Sequence, residues 1–419
     1  MRKITDWHVH SRFSRACSQN LTLENNALWC EKKGVNVLGT ADFTHPEWFA
    51  EIENKLVEDE PGLYKLKDGQ YPGMRYMLTT EISQIYKKND KTRRIHNLIL
   101  SPSVESVRKI NKWLGDSGFN LKADGRPILG LDSEEFYKRL KDIDERTVLI
   151  PAHAWTPWFS VFGSKSGFDT LEECFGSMTK DIFAIETGLS SDALMNRSCS
   201  MLDHVAIISN SDAHSPEKFG REANVFDIDQ SDFSFEGFMN VLKTRDQKKF
   251  LYTIEFYPEE GKYHVDGHAD CGIALDPSET KKLGGMCPKC HRPLTVGVMS
   301  RVADLHDREI KNVPSGHVPQ KNIVPLPEIL AEVYGVASPS SKKVKAMYEN
   351  MIKGLGSEFY ILLDAPLGDI KTFAGNEIAE ALRRVRAGEM SIVPGYDGVY
   401  GKVKIFKDNE RKSGQSILL

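Results

Sequence analysis

Seven short β-rich apolar runs in the first 245 residues each lead into, or carry, an imidazole or a carboxylate, and this pattern restricts the fold more than any other feature. The runs are Ile4 to Val9, Val35 to Ala41, Tyr76 to Ile82, Ile95 to Leu100, Thr147 to Ala152, Ile182 to Thr187 and Val205 to Asn210. Helical-looking segments separate them, Leu23 to Lys33 with its stop at Gly34 among them, an alternation that predicts a parallel α/β barrel. The first run leads into His8 and His10, the second into Asp42, the third into Glu81 and the fifth into His153. The fourth carries His96, the sixth Glu186, and the seventh leads to Asp212 and His214. Barrel strands converge at their C-terminal ends on one mouth, where active sites sit. Any one of these residues alone reads best as a hydrogen-bonded structural group; delivered together to one rim they read as a site.

The chemistry follows from the donor types. In a strand, His8 and His10 share a face because side chains alternate with period two. Carboxylates from neighbouring strands can bridge two cations, with further histidines completing each shell. Two or three close divalent ions suit phosphate esters, because they generate hydroxide near neutral pH and neutralise the attacking and leaving oxygens. Zn2+, Mn2+ and Mg2+ all remain open for such a donor set.

Asp6-Trp7-His8-Val9-His10-Ser11, Asp42, Glu81, His96, His153 and Ser211-Asp212-Ala213-His214 resemble the polymerase-and-histidinol-phosphatase (PHP) superfamily. That resemblance implies a distorted seven-stranded (β/α)7 barrel with up to three metals. It implies a first site at His8, His10, Glu81 and Asp212, the catalytic centre, and a second at Glu81, His96 and His153, with Glu186 among the ligands. At the third site the sequence departs from the family pattern: Ser11 to Ala16 lacks a further histidine, and the stretch after the second run reads Asp42-Phe43-Thr44-His45. Asp42 or His45, with His214, is left for that site.

After residue 245 the texture changes. We expect the barrel to occupy 1–245, a small zinc-binding module 246–300 and a mainly helical C-terminal domain 301–419. His268-x2-Cys271, fifteen residues, then Cys287-x2-Cys290 is zinc-ribbon spacing, and a Cys3His set suits a closed structural Zn2+ site. His264 or His291 can replace His268 in that reading. The other four of the seven cysteines are scattered singly, which argues against a disulfide framework. Helices are expected from Pro325 to Gly335, from Ser341 to Lys353 with its stop at Gly354, and from an Asn376 cap to Gly388. The net charge of −4 divides unevenly: from Lys281 onward 21 basic against 15 acidic residues give +6, leaving −10 for the rest. A basic C-terminal part suits phosphates.

The order of barrel, Cys/His module and basic helical part, with Gly39-Thr40-Ala41-Asp42-Phe43-Thr44-His45-Pro46 and Pro394-Gly395-Tyr396-Asp397-Gly398-Val399-Tyr400-Gly401-Lys402, resembles the endonuclease Q family of DNA-repair nucleases. The resemblance implies incision on the 5′ side of deaminated bases (uracil, hypoxanthine, xanthine) and of abasic sites. Candidate DNA contacts are Trp155, Trp158 and Phe159 after His153, Arg383, Arg384 and Arg386 on one helix, and Tyr396 and Lys402 in the Gly/Tyr/Lys loop. Gln415-Ser416-Ile417-Leu418-Leu419 has the look of a shortened sliding-clamp motif, although a frayed terminus explains it as well. The rival readings are a histidinol-phosphatase-like PHP phosphomonoesterase and a catalytically silent nucleic-acid-binding scaffold. No apolar run reaches the length of a membrane span, and MRKITDWHVH lacks a secretory h-region, so a cytoplasmic location without membrane contact is expected.

Overall fold

The computed structural model describes residues 1–314, 316–407 and 410. They form two compact units: Met1–Glu31, Val35–Glu255 and Val298–Lys321 in one, Lys32–Gly34, Phe256–Gly297 and the described residues from Asn322 onward in the other. This division differs from the expected one. The Cys/His segment shares a unit with the C-terminal helices, while residues 298–321 go with the barrel. The sliding-clamp-like residues 415–419 lie outside the described residues. No helix among the described residues is long and apolar enough to cross a membrane.

In the first unit, seven strands among the described residues build the barrel: Arg2–Asp6 (β1), Val37–Gly39 (β2), Arg75–Lys88 (β3), Lys91–Ser101 (β4), Val148–Pro151 (β5), Ala184–Glu186 (β6) and Ala206–Ile208 (β7). β1, β2 and β3 run parallel, with Thr5 opposite Val37 and Val37 opposite Arg75. β6 and β7 are also parallel. The fourth strand corrects the all-parallel expectation: β4 is antiparallel to β3 and to β5. The reason is the two-residue turn Asn89–Asp90, both residues left-handed (φ 52° and 56°), which folds β3 and β4 into one long hairpin where a helix was expected. Short links close the seams. Ala154 donates its backbone N–H to Glu186 O (2.9 Å), and His10 donates to Ala213 O (3.0 Å). Two more strands, Ala223–Asp227 (β8) and Phe250–Glu255 (β9), extend the sheet antiparallel from β1.

Period-two alternation past the end of β1 sets both the core and the site. Trp7 turns into the core, stacked on Phe226 and edge-on to Phe238, both at 5.7 Å between centroids. His8 and His10 turn to the other side. Burying each such ring stabilises by roughly 2–3 kcal/mol. The surrounding helices start where sequence dictates: Ser103 accepts from Ser106 N ahead of Val104–Asp116, and Ser234 accepts from Gly237 N ahead of Phe235–Thr244. The helix Leu23–Lys33 has the expected bounds.

The second unit holds the hairpin of Asp266–His268 with Ile273–Leu275 and that of Ser391–Val393 with Lys402–Lys404. Its longer helices are Leu326–Tyr334, Lys342–Leu355, Leu367–Ala374 and Asn376–Ala387. Gly335 (φ 63°) and Gly388 (φ 68°) end two of them in the left-handed conformation expected of a C-terminal glycine. Two expectations shift. Lys342–Leu355 continues through Gly354 to stop at Gly356, and Asn376 is the first helical residue rather than the cap.

Candidate metal centre

His8 is wholly buried, and its Nδ1 faces the Glu186 carboxylate (3.1 Å to Oε1, 2.9 Å to Oε2). A carboxylate can only accept, so Nδ1 carries the hydrogen and Nε2 is turned inward. That Nε2 has no hydrogen-bond partner; it lies 3.6 Å from Glu81 Oε2 and 3.8 Å from Asp212 Oδ1. His10 Nε2 lies 3.0 Å from Asp212 Oδ1 and 3.4 Å from Glu81 Oε2. Donor atoms of His8, His10, Glu81 and Asp212 thus fall within 4.8 Å of one another.

Glu81 also serves a second group. Its Oε1 is 2.6 Å from His96 Nδ1 and 3.1 Å from His153 Nε2, and those two nitrogens are 3.2 Å apart. Four ligands at about 2.0–2.2 Å around one ion stand about 3.3–3.6 Å from each other; the first group, at 3.0–3.8 Å, brackets that spacing, and the second, at 2.6–3.2 Å, is drawn tighter. The orphaned, buried His8 Nε2 and the facing pair His96/His153 therefore fit a pair of cations that share Glu81.

The electrostatics agree. Burial disfavours charge on His8 and His10, but the carboxylates outweigh it and raise His8 well above its usual value and His10 to about 9. At His96 burial wins over the attraction of Glu81, and the imidazole falls to about 4, the neutral form that a metal ligand requires. Burial pushes Glu81 up, yet His96, His8 and Arg126 together hold it well below the carboxylate range. Crowded imidazoles carrying protons between two carboxylates describe a charge that a divalent ion replaces on binding.

Asp42, Glu186 and His214, also read from sequence as ligands, meet protein groups in this structure. Glu186 spends both oxygens on protein donors: His8 Nδ1, His153 N (2.8 Å) and Asn210 Nδ2 (2.9 Å). Asp42 Oδ2 accepts from Ser11 N, Ser11 Oγ and Ser14 Oγ at 2.7–2.8 Å, while Oδ1 backs His10 Nδ1 at 3.4 Å. Both carboxylates orient imidazoles. His214 packs its ring 4.5 Å from that of His10 and its Nδ1 meets Asp212 O (2.9 Å); His45 stacks on Phe13. Among the described residues, Asp42, His45 and His214 do not gather into a third donor group. Backbone strain concentrates here as well: Asp42 (φ 40°), His153 (φ 30°) and Asp212 (φ 47°) are left-handed without being glycine.

No sequence pattern points to Arg126, which donates from Nη1 to Glu81 Oε2 (2.9 Å) with its side chain a quarter exposed. Nor did it single out Arg221, whose guanidinium braces the carbonyls of Ser211 (2.8 Å) and Asp212 (3.2 Å). Both sit in loops outside any motif.

The aromatic and basic DNA candidates separate. Trp155 is core, donating to Asn196 Oδ1 (2.7 Å) and packed on Phe162, so no base can reach it. Trp158 is exposed, and Phe159 lies 4.7 Å from the His96 ring. Arg383 pairs with Glu380 and Glu389, Arg384 with Glu380 and Glu410, and Arg386 donates to the carbonyls of Ile361 and Leu362. These three arginines hold their own unit together. Tyr396 packs under Gly267 and its N–H meets Val399 O (3.0 Å), whereas Lys402 is exposed.

In the second unit, His268, Cys271, Cys287 and Cys290 bring their donor atoms within 4.8 Å of each other, with Cys290 Sγ 3.6 Å from His268 Nδ1. His264 and His291 stand outside this group. Hydrogen bonds from Arg292 draw the Cys290 thiol down to about 6, toward the thiolate that binds metal. Asp397 ties the Gly/Tyr/Lys loop to this module by accepting from Ala269 N and Thr295 Oγ1, both at 2.6 Å.

Residues 325–389 match the family model described as the MJ0043 C-terminal domain. The uncharacterized protein YqxK of Bacillus subtilis is 30% identical over 420 residues, spanning 96% of this chain and all of that protein. The uncharacterized protein MJ0043 of Methanocaldococcus jannaschii is 31% identical over 253 residues, 60% of this chain but only 31% of that longer protein. Among solved structures, the lesion-specific endonuclease PfuEndoQ from Pyrococcus furiosus superposes with a TM-score of 0.85 at 29% identity, covering 99% of both chains. An endonuclease Q in complex with a 27-mer duplex carrying an abasic lesion at the active site gives 0.83 at 30% identity, over 97% of this chain and 98% of that one.

Proposed function

The chain belongs to the endonuclease Q family, and from that membership we propose that it is a metal-dependent DNA-repair endonuclease acting on the 5′ side of a damaged nucleotide. The substrates would be abasic sites and the deaminated bases uracil, hypoxanthine and xanthine, the products a 3′-hydroxyl and a 5′-phosphate. The observation that carries the reading is Glu81, which joins His8, His10 and Asp212 on one side to His96 and His153 on the other. Divalent ions held there would supply a hydroxide and offset charge on a phosphodiester in line with it. The chain's own residues do the positioning. Glu186 and Asp42 fix the faces that His8 and His10 present, and Arg126, anchored on Glu81, has remaining N–H donors for a non-bridging phosphate oxygen.

Support for base extrusion comes from a pocket of about 510 Å³ lined by Phe13, Arg15, Asn120, Asp124 and Ile128, next in sequence to Arg126. A damaged base stacks and pairs poorly, so extruding it costs less than the few kcal/mol of a normal one. The Cys3His group suits a structural Zn2+ that stabilises the second unit. Against the phosphomonoesterase and silent-scaffold readings stands the match to endonuclease Q across nearly the whole chain, not the barrel alone.

The test is an end-labelled duplex with a single uracil, hypoxanthine or abasic site, incubated with Mn2+, Mg2+ or Zn2+, with the nick mapped. Nicking 5′ to each lesion, lost in Asp212→Asn while DNA binding persists, is expected. Rapid turnover of a small phosphate monoester with intact duplexes would overturn the proposal.

A further inference from the structure

A second cleft, of about 550 Å³, opens on the barrel unit at the end of the β3–β4 hairpin, walled by the start of β4 and by the loop around residues 163–168 that follows His153. Two of its arginines are structural. Arg93 donates to Lys88 O and Gly167 O, with its guanidinium 4.0 Å from the centre of the Phe168 ring. Arg301 donates to Phe162 O (2.8 Å) and Phe168 O (2.9 Å) and pairs with Asp169 (2.6 Å). With the bond from Arg94 N to Ser166 O (3.4 Å), these fix the loop against β4.

The remaining cations have no such work. Lys91 and Lys165 are exposed and Arg94 is half-buried; all three line the cleft, and among the described residues none has an ion-pair partner. Two acids at its rim, Asp169 (paired with Arg301) and Glu173, stand against five cations, since Arg93 and Arg301 also line the cleft, so a surplus of three positive charges remains. Three uncompensated positive charges around one polar recess repel each other, and nothing in the fold repays that; an anion does. Position narrows the anion. Arg94 precedes His96 by two residues on β4 and shares its face, about 7 Å away along the strand. A backbone lying across the metal centre can continue from His96 into the cleft.

We infer that this cleft is a second phosphate-binding site, in which Lys91, Arg94 and Lys165 hold the sugar–phosphate backbone of the substrate beside the scissile bond. The inference rests on the reading of the chain as a DNA endonuclease. Its occupants are backbone phosphates, so it adds affinity and register but no base preference.

Each phosphate contact releases counterions, so log affinity falls with log salt by about 0.9 per contact. The experiment measures binding of an undamaged duplex between roughly 50 and 200 mM NaCl, with nicking of an abasic-site duplex followed in the same buffers. The variant Lys91→Ala/Arg94→Ala/Lys165→Ala should bind with a slope shallower by about 2.7, and Lys91→Arg/Arg94→Lys/Lys165→Arg should restore it. Alanines at Lys109, Lys112 and Lys138, on the helices Val104–Asp116 and Ser133–Ile143, carry the same change in net charge and should leave the slope as it was. A slope in the first variant equal to that of this control, or no rescue by the charge-retaining variant at matching melting temperature, overturns the cleft. A wild-type protein that fails to nick the abasic duplex overturns the endonuclease reading instead.

Discussion

Glu186 holds His8 at 2.9 Å through Nδ1 and so leaves Nε2 as the nitrogen that faces Glu81 and Asp212. The same carboxylate accepts the backbone N–H of His153 (2.8 Å), so one buried acid sets ligands of both donor groups. Partners of this kind fix the tautomer and raise the basicity of a ligating imidazole.

Glu186→Gln should therefore weaken metal binding by about 10–100-fold without unfolding the barrel. Competition against a fluorescent chelator measures it directly, and nicking should recover as metal is raised. Unchanged affinity would mean that His8 is oriented by its packing alone.

Arg126→Ala should lower the single-turnover nicking rate by about 10²-fold, the usual cost of removing a donor aimed at developing charge. Metal content should hold, since the guanidinium touches Glu81 Oε2 from outside the donor groups. Lysine should rescue only in part, because a point charge cannot grip Glu81 and a phosphate together as a fork does. A rate unaffected by either change would confine Arg126 to balancing Glu81.

These two residues mark where sequence reading stops. His8, His10, Glu81, His96, His153 and Asp212 were legible because strand ends and period two leave few places for such side chains to point. Asp42 and Glu186 were not, because a carboxylate at a strand end looks alike in sequence whether it faces an ion or the back of an imidazole. Arg126 reaches the site from an irregular loop, through a tertiary approach that no local pattern encodes. The antiparallel β4 was missed at Asn89–Asp90, a two-residue turn signal between β-rich runs. Trp155 and the arginines 383, 384 and 386 carry the right chemistry for DNA, and the sequence does not show that Asn196, Phe162 and nearby carboxylates and carbonyls are their partners within the fold.

Cys287→Ala should reduce bound zinc by one equivalent per chain and lower the melting temperature of the second unit. Cys287 is fully buried, so its loss removes a ligand that water cannot easily replace. Closed sites of this type contribute their binding energy to folding. Equal zinc content in variant and parent, by atomic absorption, would move the ion elsewhere.

Glu222 and Glu255 give stability a pH dependence that does not involve the metal ligands. Both are fully buried and lean on one hydroxyl, Ser209 Oγ, at 3.1 and 2.9 Å. Burial, then the charge of Glu255, pushes Glu222 well above the carboxylate range, while burial and then Asp192 lift Glu255 to about 8. In the unfolded chain both titrate near about 4.3. Between that value and about 8 Glu255 holds a proton in the folded protein that it has lost in the unfolded one, and Glu222, raised in the same direction, adds to this, so stability falls as pH rises through the window. Each pH unit removes up to about 1.4 kcal/mol per group. Glu255→Gln keeps the shape and removes the charge, so its melting temperature should change less than that of the parent between about pH 5.5 and about pH 8.5. The variant should also be the more stable of the two at the upper end. Parallel melting curves across that range would show that the pair is already relieved, by water or by a bound cation, in the native protein.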